Sequence, residues 1–197
     1  MRTAGVSNVV PTSEAGGGVK WNNAELHDAM EKHFSLWKDV PQWKVWLFHA
    51  MRHEYGPGLL GIMFDQEGKQ RQGCAVFYQG IGGTAPADLR EQLYTCVHEL
   101  GHCFNLFHPF HRQYMEPPKP SRTDSLTWMN YPHYYPGGSS AFWAAFPFQF
   151  DSPGTIHLRH AFRNNIIIGG NPFGTGAALE DPMAFGDLVE DNSGLRL

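Results

Sequence analysis

The sequence predicts an α+β fold: a mixed twisted sheet with one backing helix and a second, motif-bearing helix, over an irregular lower half that closes with a short helix. Three observations carry this prediction. Helical spacing of apolar residues appears at 22–40 and again at 86–104. Three short β-rich runs, broken by Gly and Pro, lie between those segments. Residues 109–155 then become rich in Pro, Gly and aromatics, with little periodicity.

Residues 1–20 are small, polar and Gly-rich and read as a flexible lead-in, with one short strand at VSNVV. NNAELHDAMEKHFSLWKDV follows as a helix capped by Asn22 or Asn23, with Leu26, Met30, Phe34 and Trp37 on one face and Pro41 as its stop. The strand candidates are WKVWLFHA, LLGIMFD and CAVFYQG. A second helix is expected from about Pro86 to Phe104, with Thr84 as its cap. SPGTIHLRHAFRNN reads as the last helix, with Pro153 in its first turn. The expected organisation is a lead-in (1–20), one domain (21–185) split into an upper part (21–104) and a lower part (105–185), and a linker-like tail (186–197).

At 197 residues with 42% hydrophobic and 17% charged residues, the chain is long and apolar enough for one well-packed domain. A net charge of -4 argues against a nucleic-acid footprint, which needs a basic patch. No apolar run approaches the roughly 20 residues of a membrane span. The first 18 residues lack the apolar core of a signal peptide. Cys74, Cys96 and Cys103 read as buried thiols, with a bridge from Cys74 as the alternative.

The second helix carries HELGHCFNLFH, residues 98–108. On a wheel centred on Leu100, Leu89, Leu93, Cys96, Val97, Cys103 and Phe104 fall within about 60° and form an apolar stripe expected to be buried. His98 and His102 lie opposite it, four residues apart, the spacing that brings two imidazoles to one metal ion. Glu99 sits beside them, and in such sites the glutamate serves as general base rather than ligand. A third ligand, His108, requires the chain to leave the helix and turn sharply back. That turn needs a positive φ just past the helix, and Asn105 is the next best residue to glycine for it. Pro109 then stops the helix from resuming.

HELGHCFNLFH resembles the metzincin pattern H-E-x-x-H-x-x-G-x-x-H, with Asn105 in the glycine position. LTWMNYP, residues 126–132, resembles the Met-turn of that clan, with Met129 as its methionine. The resemblance covers roughly residues 20–170 and names no family within the clan. It implies a zincin fold and a zinc-dependent endopeptidase acting on peptides or proteins. His98, His102 and His108 would hold Zn2+, Glu99 would be the base, Met129 would pack under the metal, and Tyr131 would help stabilise the oxyanion. It also implies an edge strand, LLGIMFD or CAVFYQG, that pairs with extended substrate. HYYPGGSSAFWAAFPFQF is expected to line the pocket beyond the scissile bond, or simply to pack the core. The clan favours a secreted or cell-surface location.

The alternative reading is a non-catalytic, zinc-containing peptide-binding or regulatory domain of a longer multidomain chain, which the linker-like ends suit. His157 and His160, three apart, read as surface or satisfied core histidines rather than a second metal pair. His111 and His133 are given the same structural reading.

Overall fold

The computed structural model describes residues 9–65, 70–114 and 117–177. The tail expected at 186–197 and most of VSNVV lie outside them. Val9 and Val10 form no strand, and a single 3-10 turn, Thr12–Glu14, precedes the first strand. That strand, β1 (Lys20–Trp21), was not foreseen. It pairs in parallel with β3 (Arg52–His53).

Helix α1 (Asn23–His33) opens with a capping box: Asn22 Oδ1 accepts from Glu25 N at 2.9 Å, and Glu25 Oε2 accepts from Asn22 N at 3.0 Å. The helix stops well short of Pro41. Phe34 and Trp37 still reach the same core from a turn beyond it, and the Trp37 indole donates to Gln72 Oε1 at 3.0 Å. Tertiary contact thus overrides the helical spacing of the sequence.

The main sheet is mixed. Its order is β2-β5-β4, with β2 (Trp46–Ala50) parallel to β5 (Gly73–Phe77) and β4 (Gly61–Met63) antiparallel to β5 at the edge. Each expected strand therefore exists but is trimmed, and the end of CAVFYQG belongs to a helical turn, α2 (Tyr78–Ile81).

Strand alternation assigns the faces. Trp46, Phe48, Ile62, Phe64, Ala75 and Phe77 meet Leu26, Ala29 and Met30 of α1. From the other face, Met63 and Cys74 meet Cys103 of α3 (Pro86–Cys103). Close approach requires two glycines here. A Cβ at Gly73 would lie 2.7 Å from Met30 Sδ, and one at Gly61 would lie 2.7 Å from Glu99 Cγ. The result is three layers, α1, sheet and α3, with the lower half packed on α3.

The cap of α3 differs from expectation. Ala85, not Thr84, is the N-cap, and Asp88 Oδ2 accepts from its amide at 3.0 Å. The larger correction concerns the buried face. Leu89 and Leu93 are 53% and 51% exposed, and Cys96, Val97, Leu100 and Phe104 are only half-buried. Of the apolar stripe only Cys103 is fully covered. The buried arc is Tyr94, Thr95, His98, Glu99, Gly101, His102 and Cys103, nearly opposite Leu100. The helix is clamped between sheet and lower half, so its polar face points inward and Leu89 and Leu93 face outward. Wheel hydrophobicity misjudged the direction because the helix buries Thr95, His98, Glu99 and His102 between its two neighbours.

The lower half is more regular than its sequence suggests. It contains 3-10 turns at Pro109–Tyr114 and Pro132–Tyr134 and a helix, α4 (Gly138–Ala145), that was not foreseen. GSSAFWAA lacks a capping side chain and is entered through Gly137 at φ 85°. Aromatic packing holds it: Phe142 and Phe146 stack at 4.8 Å, and both meet Tyr94 edge-on. The expected last helix divides into α5 (Ser152–His160), capped by Asp151, and a short α6 (Arg163–Ile166). All three cysteines are free thiols, and among the described residues no helix is long and apolar enough to cross a membrane.

The inverted face of α3 makes a stability prediction. Tyr94→Ala removes a fully buried ring and should cost about 3 kcal/mol or more. Leu93→Ala should change stability by no more than about 0.5 kcal/mol. Urea denaturation of both variants measures the contrast, and the reverse ranking would return the leucine stripe to the core.

Candidate metal centre

Helix α3 delivers two of three converging imidazoles. His98 and His102 project from successive turns of its buried face, and the chain beyond it returns His108 to the same point. The three Nε2 atoms lie 3.0 Å (His98–His108), 3.2 Å (His98–His102) and 3.2 Å (His102–His108) apart. Tetrahedral ligands at about 2.05 Å from one ion would sit about 3.3 Å apart. The spacing therefore fits a single metal ion.

The opposite ring nitrogens settle the tautomers. His98 Nδ1 donates to Trp128 O at 2.7 Å, and His102 Nδ1 donates to Leu106 O at 2.8 Å. A carbonyl can only accept, so the proton of each neutral ring sits on Nδ1 and the Nε2 lone pair faces the centre. His108 Nδ1 lies 3.3 Å from His111 Nε2, a partner that can accept its proton when His108 Nε2 serves as a ligand. Burial favours these neutral forms. It holds His98 down at about 4 and His111 at about 3. His108 is also held well below the usual imidazole range, first by burial and then by its histidine neighbours. The Nε2 lone pairs of His98 and His102 thus converge on the point that His108 Nε2 also faces.

Return of the chain depends on the end of α3. Asn105 has φ 65°, the left-handed conformation expected of it. Two buried donors take up the last carbonyls of the helix: Arg71 Nη1 donates to Cys103 O at 2.6 Å and His157 Nε2 to Phe104 O at 3.1 Å. Burial lowers Arg71 to about 10, which still leaves it protonated at neutral pH. Buried His157 titrates below the usual range, for the same cause, so it is a donor here in its neutral form. His157 is accordingly a buried core histidine that bonds through Nε2, and among the described residues only His98, His102 and His108 form a metal-capable group.

The other candidates gather around this point. Met129 lies beneath the helix, where a Cβ on Gly101 would come within 2.3 Å of its Sδ. The turn that bears it hangs from α3 by Tyr94, whose hydroxyl donates to Asn130 O at 2.5 Å and Thr127 O at 3.3 Å, and by His98. The Tyr131 ring is 4.6 Å from that of His108 and 5.8 Å from that of His98. Glu99 turns toward the sheet and rests on Gly61. His98, Glu99, His102 and His108 are each no more than 1% exposed.

Sequence reasoning missed His111, Arg71 and the glycines. His111 had been read as structural, because nothing in an i, i+3 spacing from His108 distinguishes a ligand's partner from a surface residue. Gly101 and Gly61 make sense only once Met129 and Glu99 are seen against them. Comparison with family models, with curated proteins and with solved structures found no match.

Two predictions follow from the centre itself. Unfolded histidines titrate near 6.5, whereas His98 does so at about 4 in the fold. Between those values the unfolded chain binds protons that the folded chain does not, so stability rises with pH across the window. The metal-free protein should therefore lose melting temperature as pH falls from 6.5 toward 4, and His98→Asn should flatten that slope. Equal slopes in a calorimeter would contradict the buried neutral rings. Gly101→Ala should overpack Met129, at a cost of about 1–3 kcal/mol against a helix-propensity gain of about 1. Denaturant titration of that variant checks the clash.

Proposed function

We propose that the chain is a zinc-dependent endopeptidase of metzincin type. The observation that carries the reading is the set of three converging Nε2 atoms at metal-ligand spacing, within HELGHCFNLFH. An all-imidazole set suits zinc, and three protein ligands leave a fourth position for water or substrate. The Met129 sulfur against Gly101 and the Tyr131 ring 4.6 Å from His108 support the metzincin reading.

Bound zinc would supply Lewis acidity, polarising the scissile carbonyl and lowering the pKa of a water to about 7. The chain's residues do the rest. The Glu99 carboxylate takes the proton from the attacking water and delivers it to the leaving amine. The Tyr131 phenol donates toward the oxyanion. Trp128 O and Leu106 O keep His98 and His102 in the ligating tautomer, and His111 Nε2 accepts the Nδ1 proton of His108 when that ring ligates. Edge strand β4 is the better candidate for pairing with substrate, since β5 is central. Phe77 N donates to Leu60 O, so alternation turns the backbone groups of Gly61, which packs on Glu99, away from β5.

One observation favours the second reading, a zinc-containing binding or regulatory domain. The ligands and Glu99 are fully buried, and closed sites are the mark of structural zinc. Digestion of a diverse peptide mixture, read by mass spectrometry, separates the two. At one zinc per chain the wild type should cleave, and Glu99→Gln should lose at least about a hundredfold in rate. Tight zinc with no cleavage by either protein would overturn the peptidase and leave the binding domain.

A further inference from the structure

Asn105 stands where the resembling pattern has glycine, and its backbone alone does not account for it. Glycine adopts φ 65° with no steric cost, whereas asparagine only tolerates it. The side chain is fully buried and all of its hydrogen-bonding groups are engaged. Nδ2 donates to Asn165 O at 2.9 Å and to Thr175 O at 3.0 Å, and Oδ1 accepts from Gly174 N at 2.8 Å. These three bonds join the turn between His102 and His108 to a segment some 60–70 residues later.

The same segment is held by Arg71, which donates to Ile167 O at 3.0 Å and Asn171 O at 2.9 Å as well as to Cys103 O at the end of α3. Residues 165–175 are thus gripped at five backbone groups by two side chains that also shape the end of the motif helix. The segment in turn presents Phe173, whose ring stands edge-on to His102 at 5.7 Å and tilted against Phe107 at 4.6 Å.

We infer that Asn105 is a positioning residue, a clasp by which residues 165–175 hold the returning chain so that His108 meets His98 and His102. The inference rests on the metal-site reading above. Metal binding and order in residues 165–175 are then linked, and linkage acts in both directions.

The test is the zinc affinity of the full chain by competition with a chromogenic chelator, for wild type, Asn105→Gly and His102→Ala. Asn105→Gly keeps the backbone conformation and removes only the clasp. It should bind zinc at least about tenfold more weakly than wild type, the usual cost of losing support around metal ligands. Its cobalt-substituted form should show altered d–d bands, which a loss of stability remote from the ligands would leave unmoved. Affinity and bands equal to wild type, or tighter binding, would show that the asparagine merely substitutes for glycine, and the inference would fall alone. Wild-type affinity no better than that of His102→Ala would overturn the metal site itself. Should Asn105→Gly not fold, hydrogen exchange in the wild type decides. Zinc should slow amide exchange in residues 165–175 by about tenfold, and unchanged exchange there would overturn the clasp.

Discussion

Three imidazole Nε2 atoms have to meet within 3.0–3.2 Å of one another at one buried point. Much of the fold is arranged around that demand. The carbonyls of Trp128 and Leu106 fix the tautomers of His98 and His102, and the ring of His111 braces His108 from behind. Burial removes the competing route, protonation, by depressing the imidazole pKa values. The left-handed Asn105 brings the third ring to the other two. Removal of any of these would leave two histidines on an ordinary helix.

The same demand explains why α3 is packed with its polar face inward. A helix with an apolar stripe would ordinarily bury that stripe. Here the sheet claims Thr95, Glu99 and Cys103, while the lower half claims Tyr94, His98 and Gly101. Glycine at 61 and 101 allows strand and methionine to approach so closely. The leucines are displaced to the outside, and the stability that they would have provided comes instead from aromatic packing around Tyr94, Trp128, Phe142 and Phe146.

How much of this was legible follows the range of each interaction. The α+β class, the capped first helix, the three strands of the main sheet and the metal-capable histidines rest on local pattern, and the sequence displayed them. Asn105's backbone conformation was legible for the same reason. Its side-chain partners were not, because they lie 60–70 residues away. The β1–β3 pair is two residues long and bears no alternation, so nothing local announced it. Helix α4 is held by distant rings rather than by caps, and the orientation of α3 was decided by what packs on it. The choice of β4 over β5 as edge strand needed the topology.

The claim on which the account stands is that one metal ion is held by three imidazoles. Zinc-edge X-ray absorption on the zinc-loaded chain measures that most directly. The account predicts one zinc with three imidazole nitrogens at about 2.0–2.1 Å and one further light atom. A shell at about 2.3 Å would mean a thiolate ligand. That result, or the absence of bound zinc, would contradict it.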